Sequence, residues 1–264
     1  MILYRIAVTL AAAGLSACAS LSPDGGMAAV QEIVGKRAPE KLTRVASDEE
    51  RTSVLAAVKE RLAQPLSATD VVAIALMNNP GLQASYAELR IAEADLVQAT
   101  RLRNPGFSVG RFSRGDEREI ERRVVFDVTG LLTLPWRFEA ERRLYGAAQL
   151  RAAGEVARMA DEARRAWVEA VAAAESARYA AQVRDAAEAS ADIARQMARA
   201  GNFNRLTQSR EQLFHAESAA QLARARQASV AARERLTRVM GLSDRKSTRL
   251  NSSHLKLSRM PSSA

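Results

Sequence analysis

Between Trp136 and Leu242 the chain contains no proline, and only Gly146, Gly154, Gly201 and Gly241 interrupt a run dominated by Ala, Arg, Glu, Gln and Leu. Proline removes a helical hydrogen bond and clashes with the preceding turn. Its absence here predicts two long helices, about 135–200 and about 204–240, folded back on each other at Ala200-Gly201. At about 1.5 Å per residue the first would be a rod of roughly 100 Å, several times the length of the common helix of about a dozen residues. Such a rod does not enclose a compact active site, which points to a conduit or a scaffold. The composition agrees: hydrophobic residues make up 47% of the chain and aromatic ones only 5%. Alanine supplies much of the apolar fraction, and it favours helix while burying little area and building no deep pocket.

The amino end carries a second signal. Arg5 precedes an apolar stretch from Ile6 to Gly14, followed by Leu15-Ser16-Ala17-Cys18. A basic start, a short apolar centre and small residues before the cut describe an export leader over residues 1–17. The apolar run is too short for a membrane span of about 20 residues. Cys18 is the only cysteine, so neither an internal disulfide nor a thiolate metal cluster is available. Cleavage before Cys18 followed by acylation of its sulfur and of the new amino terminus would anchor the chain in a lipid surface, at about 0.8 kcal/mol per buried methylene. Ala19, rather than aspartate, follows the cysteine, which for a bacterial lipoprotein points to the outer membrane.

The carboxyl end is of another kind. Asp244-Arg245-Lys246-Ser247-Thr248-Arg249-Leu250-Asn251-Ser252-Ser253-His254 and Ser258-Arg259-Met260-Pro261-Ser262-Ser263-Ala264 resemble translated segments of the adapter oligonucleotide used in high-throughput DNA sequencing. Residues 244–264 are therefore read as an artefactual tail and excluded from fold reasoning. The tail carries +4 of the formal net charge of +9, leaving the rest only mildly basic. Charge gives no argument for nucleic acid as a partner. The same reading places the break in the natural frame near Ser243, with natural sequence missing beyond it.

Residues 18–65 read as a polar tether containing Gly25-Gly26 and Pro39, then a helix from Ser47 toward Leu62 with Ser47 and Glu50 as a capping box. Ser67 and Asp70 start an amphipathic helix carrying Val71, Val72, Ile74, Ala75 and Leu76. Asn78-Asn79-Pro80 ends it, and Pro80 suits the first position of the next helix. That helix carries an apolar stripe of Leu82, Tyr86, Leu89, Ala92, Leu96 and Ala99 and stops before Pro105. Phe107, Val109 and Arg111 then alternate with Ser108, Gly110 and Phe112. A polar turn, Ser113 to Glu117, leads into a second extended run from Arg122 to Thr129. Period-two runs around a polar loop predict a β-hairpin at about 106–129. Its second run sets Val124, Phe126 and Val128 on one face against Arg123, Val125 and Asp127 on the other. That pattern suits a barrel wall between lipid and water. One hairpin is marginal alone, so sister hairpins must come from elsewhere. Trp136 follows at a position suited to a membrane interface.

Along the first long helix Val156, Met159, Ala163, Ala166, Ala170, Val171 and Ala174 recur at helical spacing. Leu206, Leu213, Ala216, Ala220, Ala223 and Leu236 do so less evenly along the second. Alanine on both sides suggests packing against two neighbours, whereas a two-stranded coiled coil wants a fuller seam of Leu, Ile or Val. No catalytic set emerges. His215 stands alone, His254 is in the tail, no phosphate-binding glycine loop occurs, and no metal or other cofactor is expected. Asp161-Glu162 and Arg164-Arg165 read as a solvated face with local pairing, and Asn251-Ser252-Ser253, formally a glycosylation pattern, belongs to the tail.

From Leu66 to Leu242 the order of features resembles the first half of a TolC-like outer-membrane efflux channel protomer of the lipoprotein type. The features are Leu66-Ser67, Ala73-Ile74-Ala75-Leu76, Asn78-Asn79-Pro80, a short helix to Asn104-Pro105, a β-hairpin, a long helix, the Ala200-Gly201 turn, and a return helix ending at Met240-Gly241-Leu242. The resemblance implies a mainly α fold: residues 66–243 as one repeat, a long antiparallel helical hairpin with one membrane-type β-hairpin, two such halves per chain and three chains per channel. It implies a passive duct, not an enzyme, whose partners are a periplasmic adaptor, an inner-membrane transporter and outer-membrane lipid. It makes the helical turn a docking tip, here Gly201, Asn202, Arg205, Leu206 and Thr207, where Thr207 replaces an acid common in the family. A periplasmic adaptor or a structural coiled-coil lipoprotein is the alternative. The former would flank its hairpin with lipoyl-like β halves and the latter would lack the β-hairpin.

Overall fold

The computed structural model describes residues 21–242 apart from 36, 37, 39, 40, 115 and 116. The expected leader, Cys18, Pro39, Ser243 and the 244–264 tail lie outside the described residues. The elements in order are α1 (Met27–Val34), α2 (Asp48–Leu62), α3 (Ala68–Asn78), α4 (Pro80–Ala99), β1 (Gly106–Arg114), β2 (Glu117–Val125), α5 (Val128–Arg199) and α6 (Arg205–Val239). They form two units. One comprises residues up to Ile33 with Ala84–Gly154, and the other Val34–Gln83 with the chain from Glu155 onward.

In the first unit the segment expected to be a tether contains α1. Asp24 starts it, its carboxylate accepting from the N–H groups of Gly26 (3.3 Å) and Ala28 (2.7 Å). These bonds, that from Ala28 first, hold the Asp24 carboxyl below its ordinary pKa. Along α4 the buried stripe departs from the expected one. Leu89 is followed inward by Glu93 and Val97, whereas Ala92 and Leu96 are half-buried. A carboxylate is tolerated there because Arg90 and the Ser22 N–H hold it. Tyr86 is fully buried and its hydroxyl has no hydrogen-bond partner; desolvation drives the phenol far above its ordinary pKa. An unpartnered buried hydroxyl contributes a desolvation penalty, so Tyr86→Phe should leave stability unchanged or raise it by about 1 kcal/mol. Urea unfolding followed by circular dichroism checks this, and a loss above about 1 kcal/mol would mean the hydroxyl has a partner.

β1 and β2 form one antiparallel pair in which Gly106 faces Val125 and Arg114 faces Glu117. The second strand is therefore 117–125, not 122–129. Phe126 and Val128 lie beyond it because Asp127 caps α5, accepting from the Gly130 N–H at 2.8 Å. On one face Phe107, Val109, Ile120 and Val124 stand with Arg111 and Arg122. On the other are Ser108, Gly110, Phe112, Glu119, Glu121, Arg123 and Val125. The apolar side chains of the hairpin are exposed, Phe107 at 71%.

The long helix begins at Val128, seven residues before the expected start, with Pro135 inside it. Proline removes only one ladder bond, and the Asp127 cap supplies the start of the helix.

In the second unit α3 is buried on all sides from Val71 to Leu76, not along one stripe, as befits a helix hydrophobic all round. The Ser67–Asp70 capping box is complete: Ser67 Oγ accepts from the Asp70 N–H (3.2 Å) and Asp70 Oδ2 accepts from the Ser67 N–H (2.9 Å). The Ser67 hydroxyl donates to the same carboxylate at 2.5 Å, and with the backbone bond and Arg61 it holds the Asp70 pKa below the usual 3.8. A depressed carboxylate stabilises the fold above the unfolded value and loses that contribution as pH falls through the folded value. The midpoint of thermal unfolding should therefore fall as pH drops below 3.8, and less so in Asp70→Asn. An identical acid profile in that variant would remove the box from the account. At Ser47 the box is modified: its side chain accepts from the Glu50 N–H, but Glu50 reaches back to the Ala46 N–H (2.6 Å).

Within this unit the predicted stripe of the first long helix is buried from Val156 through Val171. That of the return helix is buried only at Leu236. Leu206 and Leu213 are exposed, as are Ala216, Ala220 and Ala223, and the buried set is Ser218, Leu222, Leu236, Val239 and Met240. Where alanine recurs on every side, periodicity alone does not choose the inward face. Asp161 pairs with Arg164 and Arg165, and Glu162 with Arg158, as a solvated face would. Each such pair contributes a few tenths of a kcal/mol, on the order of 0.2–1.

Candidate functional site

The turn between α5 and α6 is built by two caps. Gly201, at φ +82°, lets its N–H bond the Ala198 carbonyl (3.1 Å) while the Asn202 N–H bonds that of Met197 (2.9 Å). This is the paired closure that left-handed glycine permits at a helix end. Asn204 then opens α6, its Oδ1 accepting from the Thr207 N–H (2.8 Å) and the Thr207 hydroxyl (2.9 Å). Of the expected docking residues, Gly201, Asn202, Arg205 and Leu206 are exposed, Leu206 at 59%. Thr207 is half-buried and its hydroxyl is engaged with Asn204. Arg205 makes no ion pair among the described residues. Behind the turn, Ser190 donates to Glu211 (2.7 Å) and ties the two helices together.

At the other end of α6 a second junction was not read from the sequence. The helix ends on Gly241 (φ +72°), whose N–H bonds the Arg238 carbonyl (2.9 Å) while Leu242 bonds that of Thr237 (3.0 Å). Asn78 Nδ2 donates to the carbonyls of Met240 (3.0 Å) and Gly241 (3.1 Å), and Asn79 Nδ2 to that of Val239 (2.9 Å). Asn79 Oδ1 meanwhile accepts from the N–H groups of Gly81 (2.9 Å) and Leu82 (3.2 Å), capping α4. Asn78-Asn79-Pro80 thus both stops α3 and closes the end of a helix 160 residues away. Trp167 Nε1 donates to the Leu66 carbonyl at 3.0 Å in a buried bond, a further long-range tie whose only sequence signal is a tryptophan in an alanine-rich stripe.

Among the described residues no group of His, Cys, Asp and Glu could hold a metal ion, and no helix is long and apolar enough to cross a membrane. Exposed apolar side chains instead gather on the hairpin and the start of α5: Phe107, Val109, Phe126, Val128, Leu131, Leu132 and Trp136.

The solved structures similar to this chain include the outer-membrane channel OprN (17% identity, TM-score 0.53, 78% of this chain and 48% of that one). They also include CusC, described for conformational changes accompanying folding and transmembrane channel formation (16% identity, TM-score 0.59, 78% and 51%). A membrane protein from Pseudomonas aeruginosa is similar too (18% identity, TM-score 0.57, 69% and 45%). The fold is part of an outer-membrane channel fold. The chain spans about half the length of each of these structures. No protein-family model and no curated protein sequence matches it.

Proposed function

We propose that the chain is the amino-terminal half of a lipid-anchored outer-membrane channel subunit, a passive duct in a tripartite efflux system. The carrying observation is the conjunction of a β-hairpin with exposed apolar side chains and a long helical hairpin in a fold similar to those of OprN and CusC. In this reading Cys18 bears the acyl chains and the hairpin contributes two strands to a barrel wall. The exposed alanines of α6 meet neighbouring helices in a homotrimer, and residues 66–243 form the first of two repeats. An inner-membrane transporter supplies the energy and a periplasmic adaptor docks on the turn at Gly201, Asn202, Arg205 and Leu206. Thr207 contributes by donating to the Asn204 cap of α6. No nucleic acid, cofactor or catalysis is involved.

Planar-bilayer recording tests the reading. The chain encoded by the uninterrupted source gene should open discrete conductance steps, and the 264-residue chain should not, because three halves leave the wall incomplete. Silence from both would sink the duct. Leu206→Asp in the full-length protein should weaken adaptor binding by about tenfold or more, since an exposed apolar anchor becomes a charge. Unchanged adaptor capture would move the docking surface elsewhere.

A further inference from the structure

We propose that the β1–β2 hairpin carries a binding surface for the phosphates of anionic lipid headgroups, built by Arg111, Arg118 and Arg122 on its apolar face. The inference rests on the barrel-wall reading above and adds to it the lipid chemistry that this stretch of wall selects. The three arginines form one patch of the ladder. Arg111 faces Ile120, so Arg118 and Arg122 are its two diagonal neighbours on the same face, each about 7–8 Å away. All three are exposed, and none forms an ion pair among the described residues. Alternation along β2 separates the charges: Glu117, Glu119 and Glu121 take positions on the opposite face, where Glu121 pairs with Arg123 at 2.6 Å. The face that holds the three arginines carries no acid, so their charge is left for a partner outside the hairpin.

The neighbours of the arginines name that partner. Their face also holds Phe107, Val109, Ile120 and Val124, exposed at 54% to 71%, while the other holds Ser108, Gly110 and the glutamates. In a barrel wall the apolar face meets lipid and the polar one meets water. Position along the strands agrees. α4 leads into β1 and β2 into α5, so Gly106 and Val125 mark the helix end of the hairpin and Arg114 and Glu117 its turn end. Phe107 and Val124 face each other near the helix end, whereas Arg118 adjoins the turn end and Arg111 stands opposite Ile120 toward it. Arginine on a lipid face is tolerated best near the membrane surface. Arg122, one pair level deeper than Arg111, can lie along the wall toward the same headgroup because its long stem is itself apolar. Unpaired guanidinium groups beside an apolar band match a phosphate above acyl chains.

The test uses the protein encoded by the uninterrupted source gene, reconstituted in phosphatidylcholine vesicles with a trace of spin-labelled lipid. Electron paramagnetic resonance reads the fraction of label slowed at the protein surface. Labelled phosphatidylglycerol should be retained about threefold or more over labelled phosphatidylcholine, and the preference should shrink as salt rises. Replacing Arg111, Arg118 and Arg122 together with glutamine should abolish the preference, Arg118→Gln alone should reduce it, and Arg123→Gln on the opposite face should leave it intact. Planar-bilayer conductance of each protein reports whether the wall has closed. Equal retention of the two labels by a conducting parent, or an undiminished preference in the conducting triple variant, would overturn the lipid surface and leave the duct standing. A triple variant that keeps its lipid preference but changes its anion-to-cation permeability would overturn it too, by putting the arginines on the water side. Should the triple variant fail to conduct, an unchanged preference in Arg118→Gln overturns the surface. Absence of conductance in the parent would overturn the duct and the surface together.

Discussion

Replacing Gly241 with alanine is expected to lower the unfolding free energy of the 264-residue chain by about 2–5 kcal/mol, whereas the same change at Gly201 lowers it by about 1–2 kcal/mol. Both glycines end a long helix with positive φ, so both substitutions carry the left-handed penalty of about 1–2 kcal/mol. They differ in what a Cβ would meet. Around Gly201 there is nothing within 4 Å, but at Gly241 the new atom would stand 2.6 Å from the Asn78 carbonyl oxygen and 3.0 Å from the Asn79 Cα. Those are backbone atoms, and moving them disturbs the Asn78 and Asn79 bonds to Val239, Met240 and Gly241 as well. Urea unfolding followed at 222 nm measures both variants. Equal losses would show that the α3–α6 junction yields freely and that the asparagine clamp contributes little.

Trp167 gives the second large effect. Truncation to alanine removes a nearly buried indole and should destabilise by about 3–5 kcal/mol. Trp167→Phe keeps most of the packing but strands the Leu66 carbonyl, which should account for about 1–3 kcal/mol. Leu66 is itself 1% exposed, so water does not readily replace the indole donor. Because Trp136 still emits in these variants and is exposed in the folded chain, far-ultraviolet circular dichroism is the readout. A phenylalanine variant as stable as the parent would mean the bond at 3.0 Å is not needed to hold the entry to α3.

What could be read from the sequence divides by range. Caps and turns act over three or four residues: Ser67–Asp70 and the turn at Ala200-Gly201 are found where their local chemistry placed them, and Asn204–Thr207 is a cap of the same short range. The fold class, mainly α with a long helical hairpin and one β-hairpin, follows from equally local signals: the missing prolines and the period-two run. Ties between distant residues left no such mark. Nothing in Asn78-Asn79-Pro80 says that its amides close α6, and nothing in Arg90 or Glu93 distinguishes them from a solvated i,i+3 pair until Ser22 is seen between them. Pro135 misled because a proline normally starts a helix and here sits inside one. The return helix misled because alanine is nearly neutral to burial, so Ala216, Ala220 and Ala223 looked like a packed stripe with Leu236, whereas Ser218 and Leu222 are buried beside Leu236. At the tip, the residue types were legible but the additional bond from the Thr207 hydroxyl to Asn204 was not.

The central claim is that this chain supplies one half of a channel subunit, and reading the source locus across the codon for Ser243 tests it most directly. The account predicts that native sequence diverges from Asp244 onward and stays open for roughly as many residues as lie between Leu66 and Leu242, encoding a second β-hairpin and a second long helical pair. Native DNA that encodes Asp244 to Ala264 and then stops would contradict it, and a half-length lipoprotein scaffold would take its place.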